Sequence, residues 1–291
     1  MDFDVIATTL GVMSLAIIAS ALGYRFSLTS APWIRVLVFG VTMVTVSLYA
    51  SLVVGRLEIA AFFPSAIAIF ATNITPILVA FAAGLVWTMP TPNYTRRQFR
   101  FAFMAVLSVI FYFAPVLRPI IKPVRSDEAA RFVDGVCMQS HSATCGAAAA
   151  ATLLLQHGIA VSEQDMIKAC FTSSDGTEPL ALYRGLKSHT QYRNVTPRLA
   201  SRESTMWSEL DQYPLVAFVS FRDDTTAAET PFTRILGRGA EGHAIVIFGC
   251  TPKGKFLIGD PAVGRTIWDK DLFHRRFSGQ AIYLAKDRVD L

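Results

Sequence analysis

The chain has 291 residues, 52% hydrophobic and 17% charged, with a formal net charge of +5 at pH 7. That length leaves room for one or two domains. A modest basic excess, with no dense Lys/Arg face and no interleaved aromatic residues, excludes nucleic acid as the expected partner.

Charge is unevenly placed along the chain. Residues 1–95 carry only Asp2, Asp4, Glu58, Arg25, Arg35 and Arg56, so the whole excess falls in residues 96–291. Within that first stretch, residues 5–24 and 36–55 are uncharged and mainly apolar. A bilayer core needs about 20 helical residues, so both segments read as membrane spans. The next uncharged run, 59–91, contains Pro64, Asn73 and Pro76. A third span is expected at 66–87, preceded by an interfacial segment at 60–63. A re-entrant loop is the alternative, since buried prolines are tolerated where neighbouring helices satisfy the freed carbonyls. Asn73 reads as a helix-packing contact. A fourth span, 101–117, is bounded by Arg100 and Arg118, and three spans is the fallback count. Asp2 and Asp4, with no Lys or Arg beside them, argue against a cleaved signal peptide. Arginines in the 25–35 and 88–100 loops put those loops in the cytoplasm, and the domain after the last span on the non-cytoplasmic face.

A charged linker containing Pro123 is expected at 119–135, with residues 1–118 as the transmembrane region and 136–291 as a separate domain. The domain begins with helices, predicted at 145–157, 164–169, 180–188 and 203–210. Strands follow at 215–221, 244–250, 255–258, 265–268 and 280–285. Helices first and an antiparallel sheet later imply an α+β domain. The polar stretch 222–241 reads as a tolerated surface insertion rather than a lid.

The chemistry concentrates in Gln139-Ser-His-Ser-Ala-Thr-Cys145-Gly146, which opens the apolar run Ala147–Leu155. A cysteine at a helix N-terminus meets unpaired backbone N–H groups and the positive end of the helix dipole, which favour thiolate over thiol. His243, on the strand-like run Gly242–Phe248, would supply an imidazolium. Asp260, in the turn Gly259-Asp260-Pro261, would fix the tautomer of that imidazole. The Gln139 amide, with the Cys145 N–H, would donate to an oxyanion. Any one of these residues alone is ordinary; Gln, Cys, His and Asp in this order point to a cysteine peptidase.

The remaining groups have simpler readings. Cys137, Cys170 and Cys250 read as structural thiols, because their spacing resembles neither a metal site nor a disulfide framework. His141 is expected to face outward, His157 to cap a helix end, and His189 and His274 to face solvent. Asp165, Asp175, Asp269 and Asp271 read as solvated or capping acids. No His/Cys/Asp cluster has zinc-ligand spacing. Neither a metal nor a cofactor is expected.

Four segments carry a resemblance: Gln139-x5-Cys145-Gly146-x-Ala148, Gly242-His243-Ala-Ile-Val, Gly259-Asp260-Pro261-Ala-x-Gly264 and Leu272-Phe273-x3-Phe277-Ser-Gly279. Together they resemble the C39 peptidases, the bacteriocin-processing cysteine peptidases. The resemblance covers roughly residues 136–284. It implies a papain-like fold, with helices packed on an antiparallel sheet. It also implies Cys145 as nucleophile, His243 as base, Asp260 as its orienter and Gln139 as oxyanion residue. Members of the family commonly cut leader peptides after a Gly-Gly pair. Here the peptidase segment follows the apolar segments instead of preceding them, and the chain has no Gly-x4-Gly-Lys-[Ser/Thr] phosphate loop.

The expectation is therefore a multi-pass membrane protein of the cell membrane with a C-terminal peptidase domain. Its expected partners are a peptide or protein substrate, the lipid bilayer, and a secretion or transport component. Two other classes fit the same residues. One is a C39-like module that docks export substrates without cutting them. The other is an acyl or amide transferase using the same triad.

Overall fold

The computed structural model describes residues 3–54, 56–62, 73–89, 93–124, 131–200, 212–221 and 242–286. Two compact units result: Met1–Ile59 with Ile67–Leu117, and Ala60–Ala66 with Arg118–Leu291. The expected helix at 203–210, the insertion at 222–241 and residues 125–130 of the expected linker lie outside the described residues.

The first unit is helical. Helix α1 (Phe3–Thr29) and helix α2 (Pro32–Leu52) are joined by two residues. Helix α1 overruns the expected span at both ends, and α2 begins before its expected start but ends three residues short of residue 55. A span is counted only as far as the first charge, whereas helical hydrogen bonding continues past Arg25 and Arg35. Pro32 starts α2 at the first helical position, where its missing N–H costs nothing. Residues Ile6–Thr29 and Pro32–Leu52 are long and apolar enough to cross a membrane. Helix α3 (Leu57–Ala61) is short, and helix α4 (Thr75–Trp87) has 13 residues. The first part of the expected third span lies outside the described residues. The expected fourth span lies within helix α5 (Tyr94–Ile121).

Helices α1 and α4 approach closely because two glycines allow it. A Cβ on Gly23 would sit 2.3 Å from the Phe81 carbonyl oxygen, and one on Gly84 would sit 2.1 Å from that of Ser20. Small residues at such crossings are what lets helix backbones pack together in an apolar medium. Asn73, expected as an interhelical contact, accepts the Thr75 N–H at the start of α4 (3.3 Å).

The second unit begins with a hairpin, β1 (Arg131–Val133) and β2 (Val136–Met138). Three helices follow: α6 (Cys145–Gln156), α7 (Glu163–Ala169) and α8 (Pro179–Thr190). Then come β3 (Val195–Leu199), β4 (Leu215–Ser220), β5 (Gly242–Cys250), β6 (Phe256–Asp260), β7 (Gly264–Trp268), helix α9 (Lys270–Arg276) and β8 (Phe277–Lys286). The sheet is antiparallel throughout, in the order β3-β8-β4-β5-β6-β7.

Both faces of its centre are buried. Leu215, Ala217, Val219, Ile245 and Ile247 form one face, packed with Phe256, Trp268 and Phe273 of α9. Alternation then turns Val216, Ala244 and Val246 to the other face, where α6 packs. Five consecutive alanines, Ala147–Ala151, are fully buried in α6. Their small side chains let the helix lie close against the sheet while Leu153 and Leu154 supply apolar area.

Candidate active site

Each candidate residue is delivered by a different element. Cys145 is the first residue of α6, after Thr144 at the N-cap position. His243 is the second residue of β5 and Asp260 the last of β6. The antiparallel register sets Val246 opposite Gly259, so Asp260 reaches back toward His243 across the strand pair. The imidazole Nε2 and Asp260 Oδ1 are 2.7 Å apart. Asp260 is 5% exposed, and its Oδ1 also accepts the Ala262 N–H at 2.8 Å. The Cys145 side chain lies close enough to the same imidazole to act on its charge.

The electrostatics follow from this contact set. Burial lowers the pKa of His243, but the hydrogen bond to Asp260 and the nearby Cys145, with their negative charges, outweigh it and raise the value to about 9. Burial acts upward on Asp260. The His243 hydrogen bond, the Ala262 N–H and the imidazolium charge prevail, leaving its carboxyl below the usual range. An imidazolium beside a buried carboxylate is thus the favoured state near neutral pH.

Gln139 joins this group through its backbone. Its N–H donates to the Pro261 carbonyl at 2.9 Å, in the turn that follows Asp260. Its Oε1 is buried with no partner among the described residues. The segment is held against α6 because Thr152 Oγ1 accepts the Cys137 N–H at 2.8 Å and donates to the Ala148 carbonyl at 3.0 Å. Gly146 allows a close approach of Thr177: a Cβ there would lie 2.7 Å from Thr177 Cβ.

The other sequence readings can now be placed. His141 is exposed and accepts the Ala143 N–H through Nδ1 (3.1 Å), a local loop contact. His157 is the C-cap residue of α6. His189 is half-buried, its Nδ1 3.0 Å from the Gly185 carbonyl, and His274 is exposed. Ser162 Oγ caps α7 by accepting the Asp165 N–H and donates to the Asp165 carboxylate; Asp269 caps α9, and Asp175 pairs with Lys122. All four cysteines are free. Burial pushes the Cys137 and Cys170 thiols up to about 12, which makes both inert. Among the described residues, no group of three His, Cys, Asp or Glu could hold a metal ion.

Sequence reasoning missed an aromatic wall beside the imidazole. The Phe221 ring lies 5.3 Å from His243, and the Arg276 guanidinium stacks over both Phe221 (4.8 Å) and Trp268 (5.2 Å). The signal was present in strand alternation: Val219 pairs with His243, so Phe221 falls on the same face. Cavities of about 480 Å³ and 440 Å³ lie elsewhere and include none of these residues.

The family model described as Peptidase C39 family matches residues 135–288. Among solved structures, the chain is similar to a double glycine motif protease from an AMS/PCAT transporter in complex with the leader peptide. That match has 20% identity over 55% of this chain and 96% of the other, with a TM-score of 0.41. It is also similar to the peptidase domain of Streptococcus ComA, a bi-functional ABC transporter involved in a quorum sensing pathway. There the identity is 20% over 55% and 98% of the two chains, with a TM-score of 0.39. The peptidase domain of Streptococcus mutans ComA matches at 21% identity over 52% and 98%, with a TM-score of 0.37. No curated protein matches the chain. Through the segment that carries Gln139, Cys145, His243 and Asp260, the chain belongs to the peptidase C39 family.

Proposed function

We propose that the chain is a membrane-anchored cysteine peptidase that cleaves peptide or protein substrates, with Cys145 as nucleophile. The observation that carries this reading is an imidazole held 2.7 Å from a buried carboxylate, with a helix-N-terminal cysteine near enough to raise its pKa. In the first step the Cys145 sulfur attacks the scissile carbonyl carbon, and the carbonyl π electrons move to oxygen. The Gln139 amide and the Cys145 N–H stabilise that oxyanion. His243 then gives its proton to the departing amine as the C–N bond breaks, leaving a thioester on Cys145. Water attacks the thioester carbon while His243 takes its proton. The C–S bond breaks, and the acid product leaves. Asp260 orients the ring throughout and stabilises its positive charge.

Cys145 is only 8% exposed, so residues flanking the scissile bond must be small to reach it. A leader peptide ending in Gly-Gly, the family's common substrate, meets that requirement. Membrane anchoring rests on α1 and α2, whose large apolar side chains, among them Ile17, Leu22, Val36 and Val44, are more than half exposed. Such patches are costly in water and suit lipid. The arginine pattern puts the peptidase unit on the non-cytoplasmic side.

The experiment is to add a Gly-Gly leader peptide from outside to intact cells carrying wild type or Cys145→Ala. Cleavage by wild type and none by the variant is expected. Equal cleavage by both removes the nucleophile assignment. Capture of the peptide without cleavage by wild type identifies a docking module, and cleavage only after lysis reverses the sidedness.

A further inference from the structure

The loop between β2 and α6 carries Gln139 and leads directly into Cys145, the two residues proposed to bind the oxyanion. Its backbone N–H groups can be followed one by one. Gln139 donates to the Pro261 carbonyl at 2.9 Å, and Thr144 to the His141 carbonyl at 3.0 Å. His141 donates to Thr144 Oγ1 at 3.2 Å, and Ala143 to His141 Nδ1 at 3.1 Å. Ser140 donates to the carboxylate oxygen Oε1 of Glu163 at 3.0 Å. Of these bonds, those of Gln139 and Ser140 reach outside the loop, and they flank the Gln139 side chain.

Glu163 is an expensive residue for a purely local role. It is 1% exposed, and its second oxygen, Oε2, is buried with no partner among the described residues. A half-satisfied buried carboxylate is destabilising compared with an apolar residue of the same size. Its helix does not need it, because Ser162 and Asp165 already provide the cap of α7. Cys137, whose thiol burial and then the Glu163 charge push up to about 12, lies in the same buried region and offers no compensation.

We propose that Glu163 is a positioning residue for the oxyanion side of the site: its buried carboxylate fixes the Ser140 amide and, together with Pro261, clamps Gln139 between two anchors. This rests on the peptidase reading above. Pro261 follows Asp260 directly, so one anchor refers Gln139 to the imidazole side of the site and the other refers it to helix α7. A charge-assisted bond to a backbone amide is among the stronger ways to hold such a loop.

The test uses the full chain and a fluorogenic peptide ending in Gly-Gly. Glu163→Ala should lower kcat by roughly tenfold, the effect of one lost charge-assisted hydrogen bond, with KM unchanged. Alkylation of Cys145 by iodoacetamide should be unaffected, because it needs no oxyanion site. Glu163→Gln keeps a neutral acceptor and should restore most of the rate. In a Gln139→Ala background, Glu163→Ala should cost nothing further. An equal loss in both backgrounds, or a parallel loss of alkylation, overturns the proposal. If wild type does not cleave the peptide, the peptidase reading is what fails, and hydrogen exchange then decides the role of Glu163. Glu163→Ala must speed exchange across 139–144 while leaving α6 unchanged; unchanged exchange in that loop overturns the proposal.

Discussion

At the scale of single residues, His243 is where burial and charge compete most directly. Desolvation alone would leave it neutral at pH 7, yet Asp260 and the Cys145 side chain bring its pKa to about 9. The unfolded value is about 6.5, so the folded state holds this proton more tightly. The stabilisation His243 contributes is therefore complete below about pH 6.5 and is lost as pH rises through about 9. The gap in Tm between wild type and His243→Ala should be widest near pH 6 and narrow steadily toward pH 9.5. A gap that widens with pH would mean that His243 is buried neutral. Hydrolysis should also fall on the alkaline side near pH 9, when the proton for the leaving amine is gone. The candidate residues Cys145, His243, Asp260 and Gln139 were proposed from residue type and order. Glu163 and Phe221 were not. Glu163 sat one residue before the predicted helix start, and Phe221 faces the imidazole only once strand pairing is known.

At the scale of elements, α6 performs two tasks: it presents Cys145 at its N-terminus and closes one face of the sheet. The alanine run and Leu153–Leu154 were legible as a buried helix, and the helix begins where predicted, at Cys145. Leu154 is fully buried. Leu154→Ala should cost about 2–5 kcal/mol of stability, the usual range for a large-to-small change in a packed core. A denaturant series would measure it, and a loss well below 1 kcal/mol would contradict the packing of α6 against the sheet. Strands β4 to β8 were legible from apolar alternation between turn residues. Strand β3 was not, because Pro197 lies in it. A proline cannot donate to a ladder, but β3 is an edge strand with a partner on one side only. Helix α9 was missed because only Leu272 and Phe273 of its seven residues are apolar, too few to show a helical period.

At the scale of the whole molecule, the boundary between the apolar segment and the peptidase segment is where sequence and structure differ most. Residues 119–124 were expected to begin a linker. Instead, Ile121 still belongs to α5, and residues 118–123 are tied to the 173–178 loop within the second unit. Arg118 pairs with Glu178, Lys122 Nζ contacts both oxygens of Asp175 at 2.9 and 2.8 Å, and the Lys122 carbonyl accepts the Ser174 N–H at 3.0 Å. Composition could not show this, since charged residues near Pro123 look the same whether solvated or paired. The same loop carries Thr177 against Gly146, next to Cys145. The central claim is that Cys145 is activated by His243, and the most direct measurement is the rate of Cys145 alkylation by iodoacetamide as a function of pH. Wild type should react rapidly and at this one site at pH 6–7, while His243→Ala should react slowly until the pH approaches that of an ordinary thiol, about 8.5. Identical pH profiles for the two proteins would contradict the account.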